Sequence, residues 1–424
     1  MWYDKILLLF RNKELRNKFL IILGLFVVFR IAANVPIPGI GAENLRRFFD
    51  QNQVFGLLNI FSGGAMSNFS IVLMGLGPYI TATIILQLLT MIFPSLKKMY
   101  YEEGSAGRAK FNRYSRYLTV PLAALQSYGF LNLLASQQII GSLNLSDLLQ
   151  NVLIITTGSV ILTWIGELIG EQKLGSGISF IIFAGIVGGL PSVVRNVIFS
   201  YDPALLPTYI AFVALSVVII AGVVFVNEGE RKIPVSYAKR IRGNKVFGGV
   251  ASYLPLKINQ AGVIPIIFAI SILLFPQFLS QILSIASSDF SIRLQNLVNQ
   301  FLGNQLIYSA VYFGLVVVFT YFYTSITFEP KEISKNLQQN GGFVPGIRPG
   351  EPTANFLSKL THRITLFGAL FLGLIAVLPN LTQILTGVQT LTIGGTALLI
   401  VVSVALESIK QIDSQLAIRE YDNV

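Results

Sequence analysis

Long apolar runs separated by short polar connections dominate this chain of 424 residues. A helix needs about 20 apolar residues to cross the hydrocarbon core of a bilayer. Ten runs meet this requirement, and they predict an all-α polytopic membrane protein with ten transmembrane helices. The predicted spans are 17–34, 73–93, 115–134, 151–170, 177–198, 205–227, 257–280, 305–328, 363–380 and 392–410.

One apolar segment does not fit this pattern. The stretch "NIFSGGAMSNF" lies directly before the second span, within a short apolar piece at about 58–69. It is too short to cross a bilayer and too polar to face lipid, because Gly63, Gly64 and Ser67 interrupt it. It is also too apolar for an ordinary soluble loop. The pattern predicts a short half-helix that enters the membrane region without crossing it.

The Lys and Arg residues alternate between the two sides of the predicted bundle. Of the 31 Lys and Arg residues in the chain, 26 lie in the two tails or in every second connection between spans, and four lie in the remaining connections. Arg30, near the end of the first span, is the remaining one. Because Lys and Arg accumulate on the cytoplasmic side, both termini are predicted to be cytoplasmic. Topology and contact with anionic lipids explain most of the net charge of +11.

Ten spans with both ends on one side divide into two sets of five. The second set then enters the membrane in the opposite sense, as in an inverted repeat. We expect an N-terminal half at 1–200 and a C-terminal half at 201–424, with long cytoplasmic loops at about 228–256 and 329–362. The second loop contains "GGFVPGIRPGEPT", whose Pro and Gly residues predict rigid turns that hold Arg348 at an exposed tip.

Composition argues against catalysis inside the membrane. Only 12% of the residues are charged, there is no Cys, and His362 is the single histidine. No Asp lies inside a predicted span, whereas an intramembrane protease or an ion-coupled transporter usually places ionisable groups there. The nucleotide-binding pattern GxxxxGK[ST] is also absent. We therefore expect no enzyme activity, no metal and no cofactor, and any energy must come from a partner.

Uncharged polar residues lie in two of the spans. Thr83 and Gln87 belong to the second span, while Asn259 and Pro265 belong to the seventh, where the proline would permit a kink. A contact between Gln87 and Asn259 would contribute about 1 kcal/mol, weak enough to open. A permanent interhelical hydrogen bond is the alternative.

Several motifs together resemble the SecY family, the channel subunits of the bacterial protein translocase. They are "NIFSGGAMSNFS", "GLGPYITATIILQLL", "GISFIIFAGIVGGLP", "YAKRIRGNKVFGG", "YLPLKINQAGVIP" and "FVPGIRPG". The resemblance runs nearly end to end. It implies a central hourglass pore that passively conducts unfolded secretory polypeptides and releases transmembrane segments laterally into lipid. A secondary transporter, or an insertase or scaffold without a through-pore, is the rival interpretation.

The resemblance assigns the short segment as a plug in the outer funnel of the pore. A half-length element is tolerated at membrane depth only where protein or a water-filled cavity surrounds it. A fixed cap that never moves is the alternative to a displaceable plug. The assigned residues are Asn59, Ile60, Phe61, Ser62, Gly63, Gly64, Ala65, Met66, Ser67, Asn68 and Phe69.

The resemblance also assigns a constriction of aliphatic side chains, called here the aliphatic ring. Such a ring excludes water and ions by dewetting, yet can widen around a passing chain. For any single Ile, lipid-facing or core packing is the ordinary interpretation. The ring comprises Leu76, Ile80, Ile182, Ile186, Ile267 and Ile400, of which Ile400 rests on the weakest motif, "GGTALLIVV".

Finally, the resemblance implies a lateral gate and a docking surface. Thr83, Gln87, Asn259 and Pro265 fit the gate, between spans two and three and spans seven and eight. The cytoplasmic loops would bind the motor ATPase SecA and the ribosome, although most of their charges could instead only fix topology. Further expected partners are SecE and SecG subunits, secretory preproteins with their signal sequences, and anionic lipids. The expected location is the bacterial inner membrane, with a plastid membrane as the alternative. The docking residues are Lys239, Arg240, Arg242, Lys245 and Arg348.

Overall fold

The protein is mostly helical, and each predicted span overlaps one long helix. The computed structural model describes residues 12–38, 62, 64–66, 68–136, 138–141, 144–199, 203, 206–237, 240–242, 245–247, 251–283, 293, 296–298, 300–301, 303–386 and 394–422. The helices are α1 (Lys13–Asn34), α2 (Gly77–Ile92), α3 (Pro94–Tyr101), α4 (Gly104–Ser136), α5 (Leu145–Glu171), α6 (Gly177–Phe199), α7 (Leu206–Glu228), α8 (Ile264–Leu283), α9 (Gln305–Thr327), α10 (Pro330–Gln339), α11 (Glu351–Thr386) and α12 (Gly394–Asp422).

The helices differ in how well each alone could span a membrane. Within the described residues, α4, α5, α7, α9 and α11 are long and apolar enough by themselves. A sixth candidate is α2 together with α3, but these two are bent by 113°. The bend falls at Phe93, which has an extended backbone, and Pro94 then opens α3 at a position where a missing N–H costs nothing. The helix α3 therefore turns away from the direction of α2.

The long helices pack as two groups that meet along two seams. In the first group α2 packs on α4, α4 on α5, α5 on α6, and α1 on both α5 and α6. In the second, α8 packs on α9, α9 on α11, and α12 on both α7 and α11. One seam joins α8 to α2 and α4, and the other joins α12 to α6. The main hydrophobic core contains buried residues from both groups and so crosses the seams.

The two long loops predicted at about 228–256 and 329–362 together form a small sheet, which the sequence did not predict. Strand β1 (Glu230–Tyr237) pairs antiparallel with β4 (Ala251–Lys257), and β5 (Gly342–Phe343) from the second loop adds to β1. In the part of the chain between β1 and β4, strand β2 (Arg240–Arg242) pairs with β3 (Lys245–Phe247). The sheet forms because Ile233 and Val235 alternate inward along β1, so that one face is buried.

This sheet also moves the start of the seventh span. The sequence placed a span at 257–280, but residues up to Lys257 are used in β4, and α8 begins only at Ile264. Pro265 therefore lies in the first turn, where proline is readily accommodated, and does not kink the helix interior. The interior proline of α8 is Pro276.

Candidate functional site

The six residues assigned to the aliphatic ring all belong to the main hydrophobic core or pack against it. Leu76 caps α2 and Ile80 lies in its first turn, while Ile267 lies in the first turn of α8. Ile182 and Ile186 stand four residues apart, on one face of α6, and Ile400 lies in α12. Four of the six are buried and belong to the main core, and Ile80 and Ile267 are half-buried and pack against it. Each helix group supplies two of the four helices that carry these side chains.

The cluster has the composition of a barrier rather than of a binding site. Branched aliphatic side chains offer no hydrogen bond to water or to an ion, so a constriction made of them excludes both. Their mutual attraction is dispersion spread over many weak contacts, without a directional bond. Such packing holds the four helices together and can separate without leaving a buried charge.

The described part of the plug segment is buried against the same region. Ser62, Ala65, Met66 and Phe69 are all buried. Ala65 belongs to the core that contains the ring, whereas Met66 and Phe69 pack in a second cluster with side chains of α4 and α5. Of the predicted plug residues, Asn59, Ile60, Phe61, Gly63 and Ser67 lie outside the described residues.

The described plug residues form consecutive turns instead of the expected half-helix. Hydrogen bonds run from the N–H of Asn68 to the carbonyl of Gly64 and from the N–H of Ser70 to the carbonyl of Ala65. The chain enters the left-handed region at Gly64 (φ +83°), Phe69 (φ +46°) and Gly75 (φ +54°), which prevents a continuous α-helix. Each turn is short because the next left-handed residue redirects the chain.

The end of α1 anchors the plug segment at its exit. The N–H of Ile37 donates to the carbonyl of Phe69 at 2.8 Å, and the N–H of Ile71 donates to the carbonyl of Val35 at 3.0 Å. The amide Nδ2 of Asn68 also donates to Oδ1 of Asn34 at 3.1 Å. These bonds fix the C-terminal end of the segment, so any movement must hinge near residue 70.

The predicted contact between Gln87 and Asn259 does not form. Nδ2 of Asn259 donates to Oδ1 of Asn227 at 2.8 Å and to the carbonyl of Gly262 at 3.2 Å. Asn227 in turn donates to Oγ of Ser403 at 2.7 Å. Oε1 of Gln87 is buried without a hydrogen-bond partner among the described residues. The amide of Asn259 therefore ties α8 to its own helix group rather than across the seam.

Asn227 and Ser403 were missed by the sequence reasoning. Asn227 is a single amide at the end of the apolar run of α7, and Ser403 lies inside α12. The signal in the sequence was the amide itself, since a lone Asn at the end of a span needs a partner. The identity of that partner depends on the tertiary fold and could not be read from spacing.

Thr83, another predicted gate residue, makes a local contact. Its Oγ1 donates to the carbonyl of Tyr79 at 2.9 Å, within α2. Ser271 of α8, which was not among the predicted gate residues, likewise donates to the carbonyl of Ile267, one turn earlier. Among the described side chains, no hydrogen bond or ion pair joins α8 to α2 or α4. The described side chains thus contact one another across this seam without a directional bond.

A cavity of about 320 Å³ lies between the two helix groups. It is lined by the ends of α2 and α9, by α3 and by the start of α11, with Tyr101, Tyr321 and His362 among its side chains. Burial, and then the neighbouring tyrosine and carboxylate groups, raise the pKa of Tyr101 to about 12. Lys97 and Glu329 also line the cavity, so its wall carries charged side chains beside this neutral phenol.

The loop that carries Arg348 is held in place by its own small core and hydrogen bonds, and its tip is exposed. Val344 is buried in a small core with Ile233, Leu256 and Leu357. Oγ of Ser334 donates to the carbonyl of Gly350 at 2.7 Å, and Oγ1 of Thr353 donates to the carbonyl of Arg348 at 2.8 Å. The side chain of Arg348 is exposed, as the sequence predicted.

The remaining predicted docking residues lie in the β2–β3 hairpin. Arg240, Arg242 and Lys245 belong to the two strands, and Lys239 lies outside the described residues. The structure describes the backbone of this hairpin and not the direction of its side chains. Within the described residues, no cluster of His, Asp or Glu could hold a metal ion.

Comparison with known proteins identifies the family of this fold. A family model for SecY matches residues 70–409. The protein translocase subunit SecY of Mycobacterium bovis is 41% identical over 435 residues, which cover 97% of both chains. The corresponding subunit of Corynebacterium glutamicum is also 41% identical, with 98% of each chain covered. The chain belongs to the SecY family.

Solved structures agree with this fold at lower sequence identity. The structure of a protein conducting channel matches with a TM-score of 0.64 at 19% identity, over 92% of this chain and 90% of that chain. The Sec61 channel from a canine ribosome–channel complex matches with a TM-score of 0.61 at 18% identity, with the same coverage. The all-α architecture of ten membrane helices is therefore that of the SecY family, and the chain is a multi-pass membrane protein.

The contacts at the gate predict opposite effects for two amide substitutions. Asn259→Leu leaves Oδ1 of Asn227 without its donor and should lower the free energy of unfolding by about 1–2 kcal/mol. Gln87→Leu removes a buried oxygen that has no partner and should leave stability unchanged or higher. The thermal midpoint of each purified variant in detergent measures the difference. Equal destabilisation by both substitutions would contradict the assigned contacts.

Proposed function

We propose that this chain is the pore-forming subunit of a protein-conducting channel and acts as a passive conduit, not as an enzyme. The observation that carries the proposal is the aliphatic ring, since all six assigned residues, from four helices, belong to or pack against one hydrophobic core. The first helix group supplies four of them and the second supplies two, so separation of the groups would open the ring. Unfolded secretory polypeptides would pass through the centre of this cluster.

The aliphatic ring would seal the pore and still tolerate any sequence. A constriction without hydrogen-bonding groups repels water and ions, because neither can replace its hydration there. A passing polypeptide would replace aliphatic contacts with contacts of its own. Neither step requires recognition of a particular sequence, which suits a channel with many clients.

The plug segment would support this seal from one side. Ala65 packs on the core that contains the ring, which argues for a segment seated at the constriction. The bonds of Phe69 and Asn68 to the end of α1 supply a fixed point about which the segment could swing. We favour a displaceable plug over a permanent cap.

The seam of α8 with α2 and α4 would be the lateral gate. Among the described side chains it is closed without a hydrogen bond or ion pair, so that opening it breaks only apolar contacts. An apolar signal sequence or transmembrane segment offers equivalent contacts and could take the place of the partner helix. Lipid would then receive the segment directly.

The cytoplasmic sheet and the loop around Arg348 would bind the partner that supplies energy. Arginine is enriched at binding hot spots, and Arg348 is exposed on a loop fixed by its own core and hydrogen bonds. The motor ATPase SecA and the ribosome are the proposed partners, and a cationic hairpin with Arg240, Arg242 and Lys245 suits ribosomal RNA. The canine Sec61 structure, from a ribosome–channel complex, supports the second of these.

The alternating Lys and Arg residues support a location with both termini in the cytoplasm, in the bacterial inner membrane. The relatives from Mycobacterium bovis and Corynebacterium glutamicum are bacterial, which favours this membrane over a plastid one. Subunits of the SecE and SecG kind would complete the complex. Their contacts would cover apolar surface that this chain leaves exposed, such as Val213 and Val217 on α7.

Deletion of residues 60–68 should increase ion leakage through the resting channel. The deletion removes the segment that packs on the core of the ring, so the barrier to ions would then depend on the ring alone. Single-channel conductance in planar bilayers measures the effect on the purified complex. A leak equal to that of the unaltered channel would contradict the plug assignment.

Crosslinking the anchored end of the plug should leave transport intact. The chain has no native cysteine, and the side chains of Asn34 and Asn68 touch, so Asn34→Cys with Asn68→Cys offers a crosslink at the proposed pivot. Because the rest of the segment would swing about this point, we expect normal export into vesicles under oxidising conditions and low ion conductance at rest. Each single substitution is the control. Loss of export on crosslinking, with recovery on reduction, would contradict a pivot at this end of the segment.

Arg348→Glu should reduce motor-driven export by about tenfold or more, as for a charge reversal at a binding hot spot. The backbone bond from Thr353 does not depend on the side chain, so the loop should keep its fold. Lys335→Glu, at an exposed position on α10, is the matched control and should change export little. Export into vesicles with purified motor measures both variants. Equal export by both would exclude Arg348 from the contact with the motor.

A further inference from the structure

A second cavity, of about 520 Å³, opens at the start of α11, and none of its lining residues belongs to the predicted ring, plug or gate. Its walls come from the first turns of α11, from the beginning of β1 and from the segment that follows β4. We call it the α11 groove. Its lining residues are Arg231, Ile258, Phe356, Lys359, Leu360, Arg363, Ile364 and Phe367.

The groove exists because two backbones approach closely. The N–H of Ile258 donates to the carbonyl of Gly229 at 2.9 Å, which holds the segment beside the end of α7. A Cβ at Gly368 would lie 2.7 Å from the carbonyl oxygen of Ile258, so only glycine permits α11 to pass this close. This contact brings the start of β1, with Arg231, against the first turns of α11.

The groove is cationic and lacks a counter-charge. Arg231, Lys359 and Arg363 line it, and no carboxylate is among its lining residues. In the part of the chain that the structure describes, none of these three makes an ion pair. All three side chains are exposed and can reach a ligand. A single anion with several oxygen atoms would satisfy them together.

The opposite part of the groove is apolar and continues along the helix. Phe356, Leu360, Ile364 and Phe367 complete the lining. The side chain of Phe367 is 54% exposed, and the exposed Leu370 and Leu374 follow it at spacings of three and four residues. Since residues three or four apart share a helix face, the cations at 359 and 363 and this apolar stripe form one continuous surface.

We propose that the α11 groove binds an anionic glycerophospholipid. Its phosphate would lie between Arg231, Lys359 and Arg363, and an acyl chain would follow the stripe from Phe367 to Leu374. Basic side chains at the end of a spanning helix lie at the depth of the headgroups, where they attract anionic lipid. A soluble acidic peptide or free phosphate would leave the apolar stripe uncovered. The proposal requires only that α11 spans the membrane, and not the export activity.

Native mass spectrometry of the detergent-solubilised complex tests the proposal with phosphatidylglycerol as the probe. Lys359→Gln with Arg363→Gln should weaken retention of phosphatidylglycerol by about thirtyfold, because two cations near a membrane surface together contribute about 2 kcal/mol. Lys331→Gln with Lys335→Gln, two exposed cations on α10, is the control and should retain the lipid. Phosphatidylcholine should bind the unaltered complex weakly and respond to neither pair.

Further measurements separate the source of the phosphate and the class of occupant. Glycerol phosphate shares the headgroup chemistry but lacks acyl chains, and it should bind far more weakly than phosphatidylglycerol. Phe367→Ser should weaken retention of the lipid while Lys359 and Arg363 remain. Equal loss of lipid in the test and control pairs would overturn the proposal, as would equal binding of glycerol phosphate. Loss of the lipid on assembly with the other subunits would assign the groove to a protein partner instead.

Discussion

The contact between the two helix groups depends on hydrophobic packing. The residues assigned to the aliphatic ring lie on α2 and α6 of the first group and on α8 and α12 of the second, and they belong to or pack against the core that crosses this contact. Their aliphatic side chains offer dispersion contacts only. Directional bonds act mainly inside each group. Arg116 pairs with Glu167 in the first, and the chain from Asn259 through Asn227 to Ser403 lies in the second. The contacts within each group are thus more directional than the contacts between the two groups.

The two seams are not equivalent. Beside the α12–α6 seam, Nε2 of Gln415 in α12 donates to the carbonyl of Lys173 at 2.9 Å, in the turn between α5 and α6. No such bond joins the described side chains of α8 to α2 or α4. A directional bond on one side and apolar contact on the other favour rotation about the bonded side. Separation of the groups would therefore begin at α8.

The features that the sequence predicted depend on hydropathy, and those it missed depend on tertiary pairing. Ten apolar runs became ten long helices because in lipid the backbone must satisfy its own hydrogen bonds. Strand β1 was missed because both of its partners are distant in the sequence. Strand β4 begins 14 residues after β1 ends, and β5 begins more than 100 residues after it. Neither pairing leaves a signal in local composition. Arg348 was placed at an exposed tip correctly, since Pro and Gly fix turns locally.

The ring and the gate amides show the same distinction within the site. Motif resemblance located Ile182 and Ile186 on one helix face, and packing brought them together with Ile400 from a span more than 200 residues away. The same reasoning failed for Asn259, because an amide bonds whichever acceptor the fold supplies, and Asn227 is nearer than Gln87. The plug segment was expected to be helical because its length suggested it, but left-handed residues such as Phe69 divide it into turns.

The unsatisfied oxygen of Gln87 bears on how readily the seam separates. A buried polar atom without a partner costs about 1–3 kcal/mol in the closed state, and water or a peptide backbone would remove that cost on opening. An apolar residue at this position would close the seam more firmly, since it would carry no such penalty. Oδ1 of Asn259 and Oε1 of Gln260, in the segment before α8, are likewise buried without a hydrogen-bond partner among the described residues. Each such atom offsets part of the apolar packing and so lowers the free energy needed to separate the seam.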